Sequence, residues 1–203
     1  VVGDSPAAFP KTKIHPMKKF ATLLLAFAAL AVGSLPLVAQ QKRVSPHESV
    51  FARFGERPNT TLVSITYGRP FSKDPKTGEN RVIWGGLVKW DKADRLGADE
   101  ATLFLTQRPL VFGDTTIPAG AYTLYIVPSA TGPSKLAFST NIGKWGTPVD
   151  EKNDLARIEL VKGSLVAPVD QLTINIGKTP DGNGEIKIMW EATVFTAAFS
   201  VKK

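Results

Sequence analysis

The sequence predicts an all-β fold, a single antiparallel β-sandwich domain of jelly-roll-like kind behind an N-terminal signal peptide. Three observations carry this. Apolar residues alternate with polar ones in short runs over most of the chain. Gly, Pro, Asn and Asp separate those runs at short spacing, the mark of turns between strands. Helical periodicity is hard to find downstream of the first 40 residues or so, which fits an all-β sandwich or barrel.

The leader comes first. Met17 opens a stretch with Lys18 and Lys19, and Phe20 to Val32 follows as an apolar run broken by no charge. Gly33, Ser34 and Pro36 then interrupt it, and Ala39 is a small residue suited to cleavage. This is the pattern of a secretory signal peptide over residues 17–39, and the run is short for a membrane span of roughly 20 residues. Residues 1–16 carry no hydrophobic pattern and precede Met17. They are expected to be an over-extended start outside the fold. The domain is therefore expected over residues 40–203, with cleavage near Ala39 and no stable membrane span afterwards. The expected location is the periplasm or the medium outside a bacterial cell.

Removing the first 39 of 203 residues leaves 164, enough for one sizeable core. The net charge of +7 is partly a property of the leader, which holds four basic residues and one acid. The remainder carries 21 basic and 17 acidic residues, with no clustered basic face, so a nucleic-acid partner is not expected. There is no cysteine, hence no disulfide staple and no lipid-attachment site after the apolar run.

Taken in order, TTLVSITYG places Val63, Ile65 and Tyr67 on one face, and TLFLT pairs Leu103 with Leu105. PLVFG follows, then AYTLYIVP, with Tyr122, Leu124 and Ile126 opposed to Thr123, Tyr125 and Val127. KLAFST carries Leu136 and Phe138, and ARIELV sets Ile158 and Leu160 against Arg157 and Glu159. QLTINIG, EIKIMWEA and TVFTAAFSV complete the set. DEKNDLAR has room for one helical turn. TPDGNGE reads as a hairpin, with Gly182 and Gly184 able to take positive φ. TTIPAGAY turns tightly into a strand through Pro118 and Gly120. Phe71 to Ala101 is the one long irregular stretch, and long loops in small domains often carry function. No repeat or composition shift divides the chain, so one domain is expected.

ITYGRP, IWGGLV, RLGADEAT, IPAGAYTLYIVP, KWG and LTINI…MWE follow one another in fixed order. In this the chain resembles the bacterial family known as domain of unknown function 2911, from about Val44 to the C-terminus. The resemblance implies an exported β-rich domain and brings no activity with it. Tyr67, Gly68, Arg69, Pro70, Arg95, Gly97, Ala98, Glu100, Ala101 and Thr102 match the family's motifs. Asp94 stands where the family commonly has Trp, Asp99 where it has Asn, and Lys89, Trp90 and Asp91 where it has Pro, Tyr and Gly. Asp74 to Asn80 looks like an insertion.

The candidate site is a rim built from Arg69, Trp90, Arg95, Asp99 and Glu100. Guanidinium forks suit carboxylates, phosphates and sugar hydroxyls. An Arg–Glu pair tying the loop to the sheet is the competing reading. Asp99 and Glu100 are adjacent, and neighbours on a strand face apart, so they are not expected to form a glycosidase pair. A distant partner for Glu100 could be Asp91, Asp94 or Asp150. His47 in SPHES is expected to be an ordinary exposed histidine, and one His without Cys argues against zinc, so neither metal nor cofactor is expected. DGNGE lacks the full calcium-loop pattern. Of the tryptophans, Trp190 belongs to the core, Trp84 and Trp145 to loop packing, and Trp90 is the best exposed contact. The expected function is non-catalytic binding of a small polar or glycan ligand. A metal-independent hydrolase and a purely structural or interaction protein are the alternatives.

Overall fold

The computed structural model describes residues 43–202. The expected leader and cleavage position lie outside the described residues. Among the described residues nine strands run in order: β1 His47–Phe54, β2 Thr61–Gly68, β3 Thr102–Thr106, β4 Leu110–Phe112, β5 Thr115–Ile117, β6 Gly120–Val127, β7 Ser134–Ser139, β8 Asp154–Lys178 and β9 Gly184–Val201. The only helix among the described residues is a single 3-10 turn, Glu151–Asn153, capped by the Asp150 carboxylate on the Lys152 amide. That turn falls where DEKNDLAR allowed one. All strand pairs are antiparallel, in the order β1-β2-β3-β6-β7-β8-β9-β4-β5.

The expected all-β architecture is what the chain adopts, and both layers of its core come from one hydrogen-bonded sheet. The device is the β8–β9 ribbon. ARIELV and QLTINIG are two ends of one strand, and EIKIMWEA and TVFTAAFSV are two ends of the next. Register shifts between Ser164 and Val169 and again before Thr173, opposite Glu191 at φ 54°, bend the ribbon. Bulges of this kind turn a strand and increase its twist. The first half of β8 pairs with β7, and the second half returns over β1 and β2.

Period-two burial explains why these segments are strands. Val63 and Ile65, Leu124 and Ile126, and Leu136 and Phe138 are all at 0–1% exposure and face inward. From the opposite layer come Leu110, Phe112, Leu172, Ile174, Ile186, Ile188 and Phe199, also buried. Aromatic rings knit the two: Phe112 lies 5.5 Å from Phe138, and Phe54 meets Phe199 edge-on at 5.1 Å. Such pairs add about 0.5–1.5 kcal/mol beyond area burial. β1 was not among the strands read from sequence. Its inward residues Val50, Ala52 and Phe54 are weak in contrast, because Phe51 on the outward face is 68% exposed.

The returning half of β8 meets β2 largely through side chains. The Tyr67 hydroxyl accepts the Ile174 amide at 2.7 Å and donates to Glu48 at 3.1 Å. Arg69 donates from Nε to the Leu172 carbonyl at 3.1 Å and from Nη2 to Thr173 Oγ1 at 2.8 Å, and its Nη1 lies 3.0 Å from Glu48. The Leu172 amide reaches the Pro70 carbonyl at 2.9 Å. The YGRP motif thus ties β8 to β2 where no full ladder forms.

Candidate functional site

Phe71 to Ala101 contains no strand, yet it is pinned throughout. Asp74 accepts the Lys76 and Thr77 amides, which closes a small hairpin over the apparent insertion. Ile83, Val88, Leu96 and Ala98 are buried beneath the loop. Asp94 exchanges two backbone hydrogen bonds with Ile126 at 2.8 and 2.9 Å, which fixes the start of DRLGADEAT against β6.

From there the chain doubles back. Leu96 (φ 53°) and Asp99 (φ 64°) both occupy the left-handed region, which Asp tolerates better than most side chains. Arg95 wraps its own turn, donating from Nε to the Gly97 carbonyl at 3.0 Å and from Nη1 to the Asp99 carbonyl at 3.3 Å. Thr102 Oγ1 donates to the Leu96 carbonyl at 2.7 Å. Opposite lies the KWG segment, where the Gly146 amide donates to the Asp99 carbonyl at 3.0 Å and the Ala101 amide to the Lys144 carbonyl at 3.1 Å. A Cβ on Gly146 would come within 2.6 Å of Arg95 Cδ, so only glycine lets the two loops meet this closely.

The expectation that Asp99 and Glu100 face apart does not hold. It assumed extended backbone, and Asp99 is left-handed. Both carboxylates turn to the same side, where His47 at the start of β1 joins them. His47 Nε2 lies 3.3 Å from Glu100 Oε2 and 3.5 Å from Asp99 Oδ2. Arg43 reaches into the group, placing Nη1 against Glu100 Oε2, 2.9 Å from His47 Nε2 and 3.6 Å from Asp99 Oδ2, with Nη2 2.5 Å from Glu100 Oε1. Hydrogen bonds from Arg43 hold the Glu100 carboxyl well down, to about 2. Among these contacts the guanidinium must donate, so His47 Nε2 accepts and its lone pair points into the cluster.

His47 and Glu100 also line an open cleft of about 520 Å³ on the outer face of the sheet. Its floor is a row across three strands, Thr66, Leu103 and Thr123, which are paired in register. Gly143, Lys144 and Trp145 form a wall beside Glu100. Trp145 is 55% exposed, and its backbone bridges to Glu100.

The residues expected to form the rim are distributed as follows. Asp99 and Glu100 come together. Arg95 and Asp99 line a smaller hollow of about 200 Å³ with Arg81, Asp94 and Trp190, while Glu100 lies on the larger cleft. Arg95 pairs with backbone carbonyls, and the arginine that pairs with Glu100 is Arg43. Arg69 is engaged in the β2–β8 tie. Trp90 is packed, stacked on Trp84 at 6.5 Å with the Lys162 ammonium 4.9 Å over its ring. The exposed tryptophan is Trp145. The distant acids considered for Glu100 serve local turns: Asp91 accepts from Ser129, Asp94 from the Leu96 amide, and Asp150 from Lys152 and Asn141. Arg43 and His47 carried no sequence signal beyond their residue type, since both precede the first recognisable strand.

The fold and site define a single-sheet, all-β domain with a loop-walled cleft on its outer face and a charged cluster at one end of it. Residues 45–199 match the family described as Protein of unknown function (DUF2911), and the chain belongs to that family. No curated protein and no solved structure matches it significantly.

Proposed function

We propose that this domain binds a small polar ligand of carbohydrate type in the outer-face cleft, without performing chemistry on it. The observation that carries the reading is Trp145, more than half exposed and set beside Glu100 over a cleft wide enough for a sugar ring. An aromatic face packs against the apolar face of a pyranose, while charged groups at its edge take the hydroxyls. Glu100 and Lys144 supply an acceptor and a donor on neighbouring backbone segments of the wall, and Thr66 and Thr123 supply hydroxyls on the floor. We further propose that the domain works outside the cytoplasm, a reading supported by Lys18, Lys19 and the apolar run that follows them.

Titration with soluble envelope-type oligosaccharides, read by calorimetry and by tryptophan fluorescence, tests the binding. Saturable binding is expected, with Trp145→Ala and Glu100→Ala each weakening it by about tenfold or more, a loss of about 1.4 kcal/mol. Saturable binding untouched by both substitutions would remove the ligand from this cleft.

A further inference from the structure

We propose that His47, Asp99 and Glu100 bind one divalent ion of the zinc class, and that Arg43 is a built-in competing cation that swings aside to admit it. This inference goes beyond the ligand-binding reading and does not depend on it.

The donor set is one imidazole nitrogen and two carboxylate oxygens, all within 4.8 Å of one another. Their spacing is informative. Zinc binds such atoms at about 2.0–2.2 Å in a tetrahedron, whose edge is about 1.63 times the bond, or about 3.3–3.6 Å. The two edges that meet at His47 Nε2 measure 3.3 Å to Glu100 and 3.5 Å to Asp99. The lone pair of Nε2 points into the group, because it accepts from Arg43.

A cationic group already sits among these atoms. Arg43 Nη1 contacts Glu100 and lies 2.9 Å from His47 Nε2 and 3.6 Å from Asp99 Oδ2, so the protein's own guanidinium stands where a metal ion would balance the same charges. Arg43 is exposed and precedes the first strand, so its withdrawal disturbs no strand pairing. His47 and Glu100 both line the 520 Å³ cleft. With three protein ligands, the fourth coordination position would open toward that cleft, the arrangement of zinc sites that exchange a water for another ligand. Asp99 is held in the left-handed conformation by the Gly146 amide and Arg95 on its carbonyl. A backbone over-determined in this way is one route by which a site keeps its donors in place. The imidazole favours a borderline transition ion over calcium or magnesium, which take oxygen ligands.

The test is calorimetric titration of the chelator-stripped full chain with zinc chloride alone, for wild type, H47A, E100Q and R43A. One ion per chain is expected. H47A and E100Q are expected to weaken binding by at least about tenfold, the lower end of what even outer-shell changes cost. R43A is expected to tighten it, also by about tenfold. Cobalt substitution supplies a readout that needs no variant: intense visible bands of four-coordinate cobalt are expected, and a weak six-coordinate spectrum would overturn the tetrahedral site. Absence of stoichiometric zinc uptake in both wild type and R43A would overturn the proposal. So would uptake unchanged by H47A, or calcium bound as tightly as zinc. Zinc affinity equal in R43A and wild type would refute the competing role of Arg43.

Discussion

Replacing Tyr67 with Phe removes a single oxygen and keeps the ring, so it isolates the tie between β2 and the returning half of β8. Ile174 is 1% exposed, and its amide is satisfied by the Tyr67 hydroxyl at 2.7 Å. Its register partner on the other side is Ile188, and the amide points away from that strand toward Tyr67. Leaving a buried donor unpaired costs about 1–3 kcal/mol. Glu48 also loses a donor, but it keeps Arg69 at 3.0 Å and is partly solvated, so its share is about 0.5 kcal/mol. The sum is about 1.5–3.5 kcal/mol. With a urea m-value of about 2 kcal/mol/M the midpoint falls by about 0.7–1.8 M at unchanged slope. The melting temperature falls by about 3–14 °C for a domain of this size. Urea titration followed by tryptophan fluorescence measures it. A loss under about 0.5 kcal/mol would refute the reasoning, because it would mean the Ile174 amide has another partner. The same hydroxyl sets an alkaline limit. Burial, with Glu48 beside it, pushes Tyr67 up to about 12 from its ordinary 10.0. The unfolded chain then releases this proton first, so the tie is fully present below pH about 10 and is lost as the pH rises toward 12. Wild type should lose stability across that window more steeply than Tyr67→Phe.

Three further outcomes are expected. Gly184→Ala drives a methyl to within 2.2–2.8 Å of the Phe199 ring, so it should destabilise by about 1–3 kcal/mol through overpacking, as a thermal melt would show. Gly182→Ala meets nothing within 4 Å, so its cost is limited to about 1–2 kcal/mol for the left-handed backbone at φ 81°. Trp90→Ala should destabilise by about 2–4 kcal/mol because the ring is packed on Trp84, whereas Trp145→Ala should change stability by no more than about 0.5 kcal/mol. Denaturation of both variants decides which tryptophan is structural. Burial raises the pKa of Asp94 despite the Leu96 amide. Asp94→Asn keeps the acceptor and removes the charge. It should be more stable than wild type at neutral pH, and the advantage should vanish as acidification protonates Asp94 in the fold, read from melts over a pH series.

The strands with strong contrast, such as TLVSITYG and AYTLYIVP, were legible because half-buried strands must alternate, and these do. β1 was not, because Phe51 presents a large ring to the outside while Ala52 faces in. Nor could alternation show that four predicted strands are two. Glu191 at φ 54° interrupts the pattern at the corner of the ribbon, and a bulge reads in sequence like the end of a strand. The candidate site was half legible. Asp99 and Glu100 stood out as charges in the one long loop, but the strand rule turned them apart, since residue type alone does not reveal that Asp99 is left-handed. Arg43 and His47 were unreadable as partners because their proximity to Glu100, 57 and 53 positions away, is a product of the β1–β2–β3 pairing. Trp90 was expected to be the exposed contact and Trp145 to be loop packing, and the tertiary fold reverses both: Trp90 stacks on Trp84 and Trp145 is uncovered.

The YGRP motif has a consequence for how this protein avoids sticking to itself. Where β8 returns over β2, a stretch of strand edge from Asp170 to Ile174 is covered by one phenol, one guanidinium and a turn of loop, instead of a neighbouring strand. This is a seam fastened by side chains. It can gape while every strand ladder on either side stays intact, which makes it a candidate for the lowest-energy partial opening of the domain. What it would uncover is a row of unpaired amides and carbonyls flanked by Leu172, Ile174 and Ile176, a template onto which a second chain could add a strand. Tyr67 and Arg69 therefore cover this edge as well as fasten the fold.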